Sequence, residues 1–294
     1  LISFWLNAAH LPHPDDDVER LRKQPEPAKD EKPKPTKAVL EIRDSSGALV
    51  RRLEVDAKQG VNRVNWDLTR TAYRSPLPPS PWGGGSAAPV VPGDYEVTLQ
   101  FAEQSAKQTV RVLPDPRLQL GAADYAAKAA SWREFGTVQE ALTDAIRQVQ
   151  DLRADLDRVA ALAKANVDRR KEREPAREIG DDDSHQQLGK AIEAFKEKLL
   201  DVEKQLWQPP ETTKGYIAER DAQSMLNVAA WFYGSSFRPV TVTQAAYLRA
   251  AETRTREALA ALDALLGSEL PPLREKASAL QLLMQPVTPA ARLP

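Results

Sequence analysis

Cysteine is absent from the 294 residues, and histidine occurs only three times. Disulfides, thiolate metal centres and a cysteine nucleophile are thereby excluded. Charge of one sign is also lacking: 41 Lys and Arg face 42 Asp and Glu, for a formal net charge of -1. With no surplus of cations to neutralise phosphates, nucleic acid is not an expected partner. No apolar run approaches the length of a membrane span. The opening "LISFWLN" has no Met, no basic stretch and no cleavage site, so it does not read as a signal peptide. It reads as the interior of a longer protein, beginning in a strand, with any export signal upstream. No Gly-x-Ser-x-Gly occurs, and no His lies near a plausible Ser nucleophile.

What is present is ordinary for a soluble protein: 41% hydrophobic and 28% charged residues. The length suits about two domains. Ile2, Phe4 and Leu6 alternate with polar or outward positions, as in a short strand. From His10 to Lys37 the chain is mostly Pro, Lys, Glu and Asp, too poor in apolar surface to offset the entropy of ordering. Order resumes at "KAVLEIRD", where Ala38, Leu40 and Ile42 share a face. A hairpin turn follows at Asp44 to Gly47, with Gly47 suited to positive φ. "LVRRLEV" offers Leu49, Leu53 and Val55. In "GVNRVNWDLTRTAYRSP", Val64, Trp66 and Leu68 alternate with Arg63, Asn65 and Asp67. "VPGDYEVTLQF" restarts through Pro-Gly, with Tyr95, Val97, Leu99 and Phe101 on one face, and Val110 and Val112 mark a last strand. Six or seven short strands with close turns predict a β-sandwich. The stretch from Thr71 to Pro89, with "PPSPWGGGS", is a long excursion between two of its strands.

After "DPR" the period changes from two to three or four. Phe135, Leu142, Ile146, Val149, Leu152, Leu156 and Val159 stripe one long helix. Ser184 to Gln187 reads as a capping box opening a second helix, with Leu188, Ile192, Phe195, Leu199, Val202 and Leu206 as its seam. A third helix runs through Met225, Val228 and Phe232. Thr241 and Gln244 cap a fourth, which uses Leu248, Leu259, Leu262 and Leu266; a shorter fifth uses Leu273, Leu280 and Leu283. Short loops between them predict an up-down bundle. The fold class expected is therefore α+β and multidomain: an Ig-like antiparallel β-sandwich followed by an up-down α-helical bundle. Residues 1–9 form its first strand or the end of an upstream domain, 10–37 a charged Pro-rich loop, 38–114 the sandwich, 115–120 a linker and 121–294 the bundle.

Four phrases carry a family resemblance: "LEIRDSSGALVRRL", "GVNRVNWDL", "VPGDYEVTLQF" and "VLPDPR". The β half resembles the immunoglobulin-like domain of flagellar hook-capping proteins. It is more similar to the domain that follows the β-propeller in bacterial exported proteins with sortilin-type or sialidase-like repeats. The helical half, with "DPR", a long helix and "RPVTVTQ", looks like the tail of the same proteins. The resemblance implies an exported location, periplasmic or extracellular, and an upstream propeller as partner. It implies that any glycosyl-hydrolase label belongs to the propeller, of which no repeat is visible here.

Each candidate site competes with a plainer reading. His10, His13 and Asp15 to Asp17 have a spacing compatible with shared metal coordination, but a Pro-broken solvated loop explains them better. Asp181 to His185 lacks the Glu that completes an EF-hand, and acids before a helix are favoured by its N-terminal partial charge. Trp82 in "WGGGS" suits a sugar-stacking platform or a surface packed on a neighbour. Trp66, Tyr95 and Phe101 read as core. Trp231, Phe232 and Tyr233 are consecutive, so a helix cannot turn all three inward. Trp82, Trp231 and Tyr233 are thus the possible ligand or interface residues, while no catalytic, cofactor-binding or metal residue is expected. The leading function is a non-catalytic accessory region acting in domain packing or protein interaction. The alternatives are a carbohydrate- or protein-binding module around Trp82, and part of a glycoside hydrolase whose active site lies upstream.

Overall fold

In a computed structural model, the residues described are 1–8, 11–12, 37–76, 87–173, 183–209, 220–287, 289 and 293. The chain forms N-terminal antiparallel β-sheets followed by a four-helix region. It divides into two compact units: Leu1–Ala72 with Ala87–Ala129, and Tyr73–Ser86 with Ala130–Pro294. The segment opened by Tyr73 thus belongs to the helical unit, although it lies between two strands of the other. Of the expected loops 10–37 and 71–89, residues 10, 13–36 and 77–86 lie outside the described residues, and with them His10, His13, Asp15 to Asp17 and Trp82; so do Asp181 and Asp182.

The β unit holds β1 (Ile2–Leu6), β2 (Lys37–Arg43), β3 (Leu49–Asp56), β4 (Gly60–Val64), β5 (Gly93–Phe101) and β6 (Gln104–Val112). β1 pairs with β4, and the other four run β3-β2-β5-β6, with every pairing antiparallel. Leu40, Ile42, Val50, Trp66, Val90, Tyr95 and Val97 form one buried cluster, and Ile2, Phe4 and Val64 of the two-stranded sheet pack against it. Trp66 meets Tyr95 edge to face, with centroids 5.5 Å apart. Its indole N–H donates to the Thr69 carbonyl at 3.0 Å, so its burial leaves no donor unpaired. The turn after β2 behaves as the sequence implies: Asp44 accepts from the Ser46 and Ala48 amides, and Gly47 has φ 82°.

Two alternations break, each for a local reason. Opposite β2 the register skips Val50, between Arg51 and Leu49. This bulge changes parity, so Val50 is buried and Leu49 is exposed, the reverse of the simple pattern. β4 ends at Val64, ahead of Trp66. Leu68 sits at φ 58° with its side chain exposed, and the Asp67 carboxylate accepts from the Thr69 amide (3.1 Å) and hydroxyl (2.6 Å). Trp66 therefore reaches the core from a turn rather than from a strand extended through Leu68. Partial burial alone would raise the Asp67 pKa; the Thr69 bonds and the Arg51 charge outweigh it and bring it below the usual value.

The helical unit contains most of α1 (Ala122–Arg173), then α2 (Ser184–Leu206), α3 (Ala222–Gly234) and α4 (Val242–Ala279). α4 contacts both α2 and α3. The α1 stripe from Phe135 to Val159 is buried as its period implies, and so are Leu188, Ile192, Phe195, Leu199 and Leu206 of α2. Four details differ from the sequence reading. Asp183, rather than Ser184, caps α2, accepting from the His185 and Gln186 amides. In α3 the buried stripe is Leu226, Ala229 and Tyr233, one residue beyond Met225, Val228 and Phe232. In α2 the half-buried Val202 yields to Glu203, a buried carboxylate held by Arg153 and by the Trp207 indole N–H. Finally, the fourth and fifth helices are one. Pro271 and Pro272 lie inside α4, where each removes a helical N–H bond, and buried Leu270 and Leu273 flank them. The helix ends at Ala279, leaving Leu283 exposed in the tail.

The Thr241–Gln244 capping box forms as the sequence implies, with the Gln244 amide donating to the Thr241 hydroxyl (3.2 Å) and the Thr241 amide to the Gln244 side chain (3.0 Å). Among the described residues no helix is long and apolar enough to cross a membrane.

Candidate functional site

The three consecutive aromatics at the end of α3 separate as a helix requires, each turned about 100° from the last. Tyr233 points into the helical unit and is 1% exposed. Its ring meets Trp132 (5.8 Å, 84°) and Phe135 (6.4 Å, 49°) of α1. Burial, and secondarily the Glu134 charge, push its hydroxyl pKa up to about 12. It is therefore a core residue joining α1 to α3, and its phenol stays neutral at physiological pH.

Trp231 points outward and is 68% exposed. It stands edge-on to Phe232, at 4.9 Å and 72°. Phe232 in turn stacks on Tyr247 of α4, at 4.6 Å and 24°. Phe237 (61% exposed) and Val242 (82%) lie in the same hairpin. The hairpin itself is tied down: the Phe232 carbonyl accepts from the Ser235 hydroxyl (2.8 Å) and the Gln244 side chain (3.1 Å). The result is an exposed aromatic ladder on a hairpin whose backbone is held by these bonds.

A cavity of about 320 Å³ opens in the helical unit, lined by Glu134, Thr137, Tyr233, Leu248, Arg249 and Glu252 among others. It draws on both helices of the ladder and on α1. A larger groove of about 640 Å³ runs between α1 and the C-terminal tail. There Asp155 accepts from Arg158 and from the Gln285 amide, and Arg158 also donates to the Leu283 carbonyl. Its charges thus fasten the tail to α1.

Polar groups elsewhere are committed to structure. Gln139 of α1 and Gln223 of α3 exchange amide bonds at 3.2 and 3.3 Å in the buried interior. Asp183 binds Arg170, which also meets the His185 ring. Among the described residues, no group of three or more His, Asp or Glu is arranged to hold a metal.

A second, unexpected contact set lies on α1. Tyr73 and Arg74, from the connection after β4, dock on its face between Phe135 and Asp144. The sequence offered two signals for it. Gly136 is the only glycine in a helix of 52 residues, and Glu140 and Asp144 are like charges four residues apart.

Compared with protein-family models, characterised proteins and solved structures, the chain matches none.

Proposed function

We propose that this chain is a non-catalytic accessory region of an exported β-propeller protein, acting in domain packing or protein interaction. The observation that carries the reading is the aromatic ladder of Trp231, Phe232 and Tyr247, with Phe237 and Val242 exposed in the same hairpin. Trp and Tyr are enriched among the residues that carry the energetics of protein interfaces, and a group of exposed apolar side chains marks an interaction site. The finer fold reading goes with it. Two antiparallel sheets packed on one apolar cluster support an Ig-like sandwich, and the contacts of α4 with α2 and α3 support an up-down bundle. The partner in this reading is the propeller that the sequence resemblance implies, in the periplasm or outside the cell. Any hydrolase chemistry then resides in that propeller.

The test is calorimetric titration of this chain with the polypeptide encoded immediately upstream. Saturable binding that is lost in a Trp231→Ser, Phe237→Ser variant supports the reading. Unchanged binding in that variant overturns the role given to the ladder.

A second reading, a glycan-binding module, draws on a different observation. The cavity lined by Tyr233, Glu134, Arg249 and Glu252 brings charged hydrogen-bonding groups to the helices that carry the aromatic ladder. This moves the proposed site from the Trp82 loop to the α3–α4 hairpin. Saturable changes in tryptophan fluorescence on adding soluble oligosaccharides would favour it over the first.

A further inference from the structure

The contacts made by Tyr73 and Arg74 are more specific than packing requires. The Tyr73 ring lies against α1 at Gly136, so close that a Cβ at that position would collide with it. The same ring meets Phe135 at 6.2 Å. The Arg74 guanidinium forks between two carboxylates: Nε donates to Glu140, and Nη1 and Nη2 donate to Asp144 at 2.6 and 3.0 Å. The backbone is read as well. The Arg74 amide donates to Glu140 at 2.7 Å, and its carbonyl shares the Thr143 hydroxyl proton with the Gln139 carbonyl, at 3.0 and 2.7 Å.

All these groups come from one face of one helix, at positions 136, 140, 143 and 144. Two features of this face weaken the helix taken alone. Glycine in a helix interior costs about 1 kcal/mol relative to alanine. Like charges at i and i+4, here Glu140 and Asp144, repel. Both penalties are relieved when an aromatic ring lies on the bare backbone and a guanidinium lies between the acids. Bidentate pairing with carboxylates is the geometry arginine favours and lysine cannot reproduce. The clamp remains open to exchange: the Arg74 and Asp144 side chains are each 47% exposed, and Glu140 is 32% exposed.

We propose that the α1 face from Gly136 to Asp144 is a recognition site for an extended peptide presenting an aromatic residue followed by arginine. It is occupied here by the chain's own Tyr73–Arg74. The site reads four features: a flat ring, a guanidinium, a backbone donor and a backbone acceptor. The same segment of a second copy of this chain competes for it. Because the resident segment is tethered, the competitor must overcome a local concentration of millimolar order.

The probe is the synthetic peptide TAYRSP, the sequence from Thr71 to Pro76. It is titrated, labelled, against the full chain carrying Tyr73→Ala and Arg74→Ala, which empties the site. Saturable binding is expected, at least about tenfold tighter than to the native chain, whose site is filled. Replacing the peptide's arginine by lysine should weaken it by a similar factor. Absence of binding, in a variant whose helical circular dichroism is unchanged, overturns the proposal. If that variant does not fold, the native chain decides. Excess peptide should then accelerate hydrogen exchange at the Arg74 amide, which is held by Glu140. Unaltered exchange under excess peptide would equally overturn the proposal.

Discussion

Trp66 concentrates what a single side chain does in the β unit. It is 4% exposed, meets Tyr95 edge to face and donates to Thr69. Trp66→Ala should destabilise the unit by about 3–5 kcal/mol, as truncation of a buried aromatic does. Urea denaturation checks this, and a loss under about 1 kcal/mol would contradict its place in the core. His185 offers a residue-scale prediction in pH. Burial, then the Arg170 charge, lower its pKa from the ordinary 6.5, and these outweigh the opposing pull of Asp183. Below the ordinary value the unfolded chain therefore binds more protons than the folded one. Stability contributed by neutral His185 is present above about pH 6.5 and is lost as pH falls through the lowered folded value. His185→Gln should flatten that part of the stability-versus-pH curve, while Asp183 keeps its capping bonds. A curve with the same slope in both proteins would remove His185 from the account.

At the scale of elements, the helical stripes were legible in the sequence and the strand edges less so. Phe135 to Val159 repeat with the period of a helix, and nothing local competes with that signal. Alternation in β3 reads wrongly because a bulge at Val50 changes parity, and bulges leave no reliable trace in composition. The α3 stripe is displaced by one residue because three adjacent aromatics fit either phase; packing of Tyr233 on Trp132 decides it. Asp183 outcompetes Ser184 as a cap because its carboxylate accepts from two amides and also meets Arg170. The docking of Tyr73 and Arg74 on α1 left only an indirect trace, Gly136 and the Glu140–Asp144 pair, since the carboxylates that hold Arg74 lie 66 and 70 residues away in sequence. Gly136 links that contact to a measurable reversal. In the native chain Gly136→Ala should destabilise, because the new methyl collides with the Tyr73 ring. With Tyr73→Ala already in place, the same change should stabilise by about 1 kcal/mol, the ordinary gain of alanine over glycine in a helix. A double-mutant cycle measures both steps. The same sign in each would mean that the ring does not rest on Gly136 in solution.

For the whole molecule, the two-part order of sheets and then helices was legible because hydrophobic period changes at "LPDPRLQLG". The membership of Tyr73 in the helical unit was not, because it depends on tertiary contacts. Of the three aromatic residues that the sequence offers as ligand or interface positions, Trp231 stands in an exposed ladder, Tyr233 lies in the core, and Trp82 falls outside the described residues. The central claim is that the ladder is a docking surface for another protein domain. Its most direct test is a photo-crosslinking amino acid at exposed Arg238, in the hairpin beside the intact ladder, with a second at exposed Glu197 on α2 as control, each introduced in the native host. The account predicts a specific adduct from position 238, mapping by mass spectrometry to one surface of a partner domain, and none from 197. Adducts of equal yield and variety from both positions, or none from 238, would contradict it.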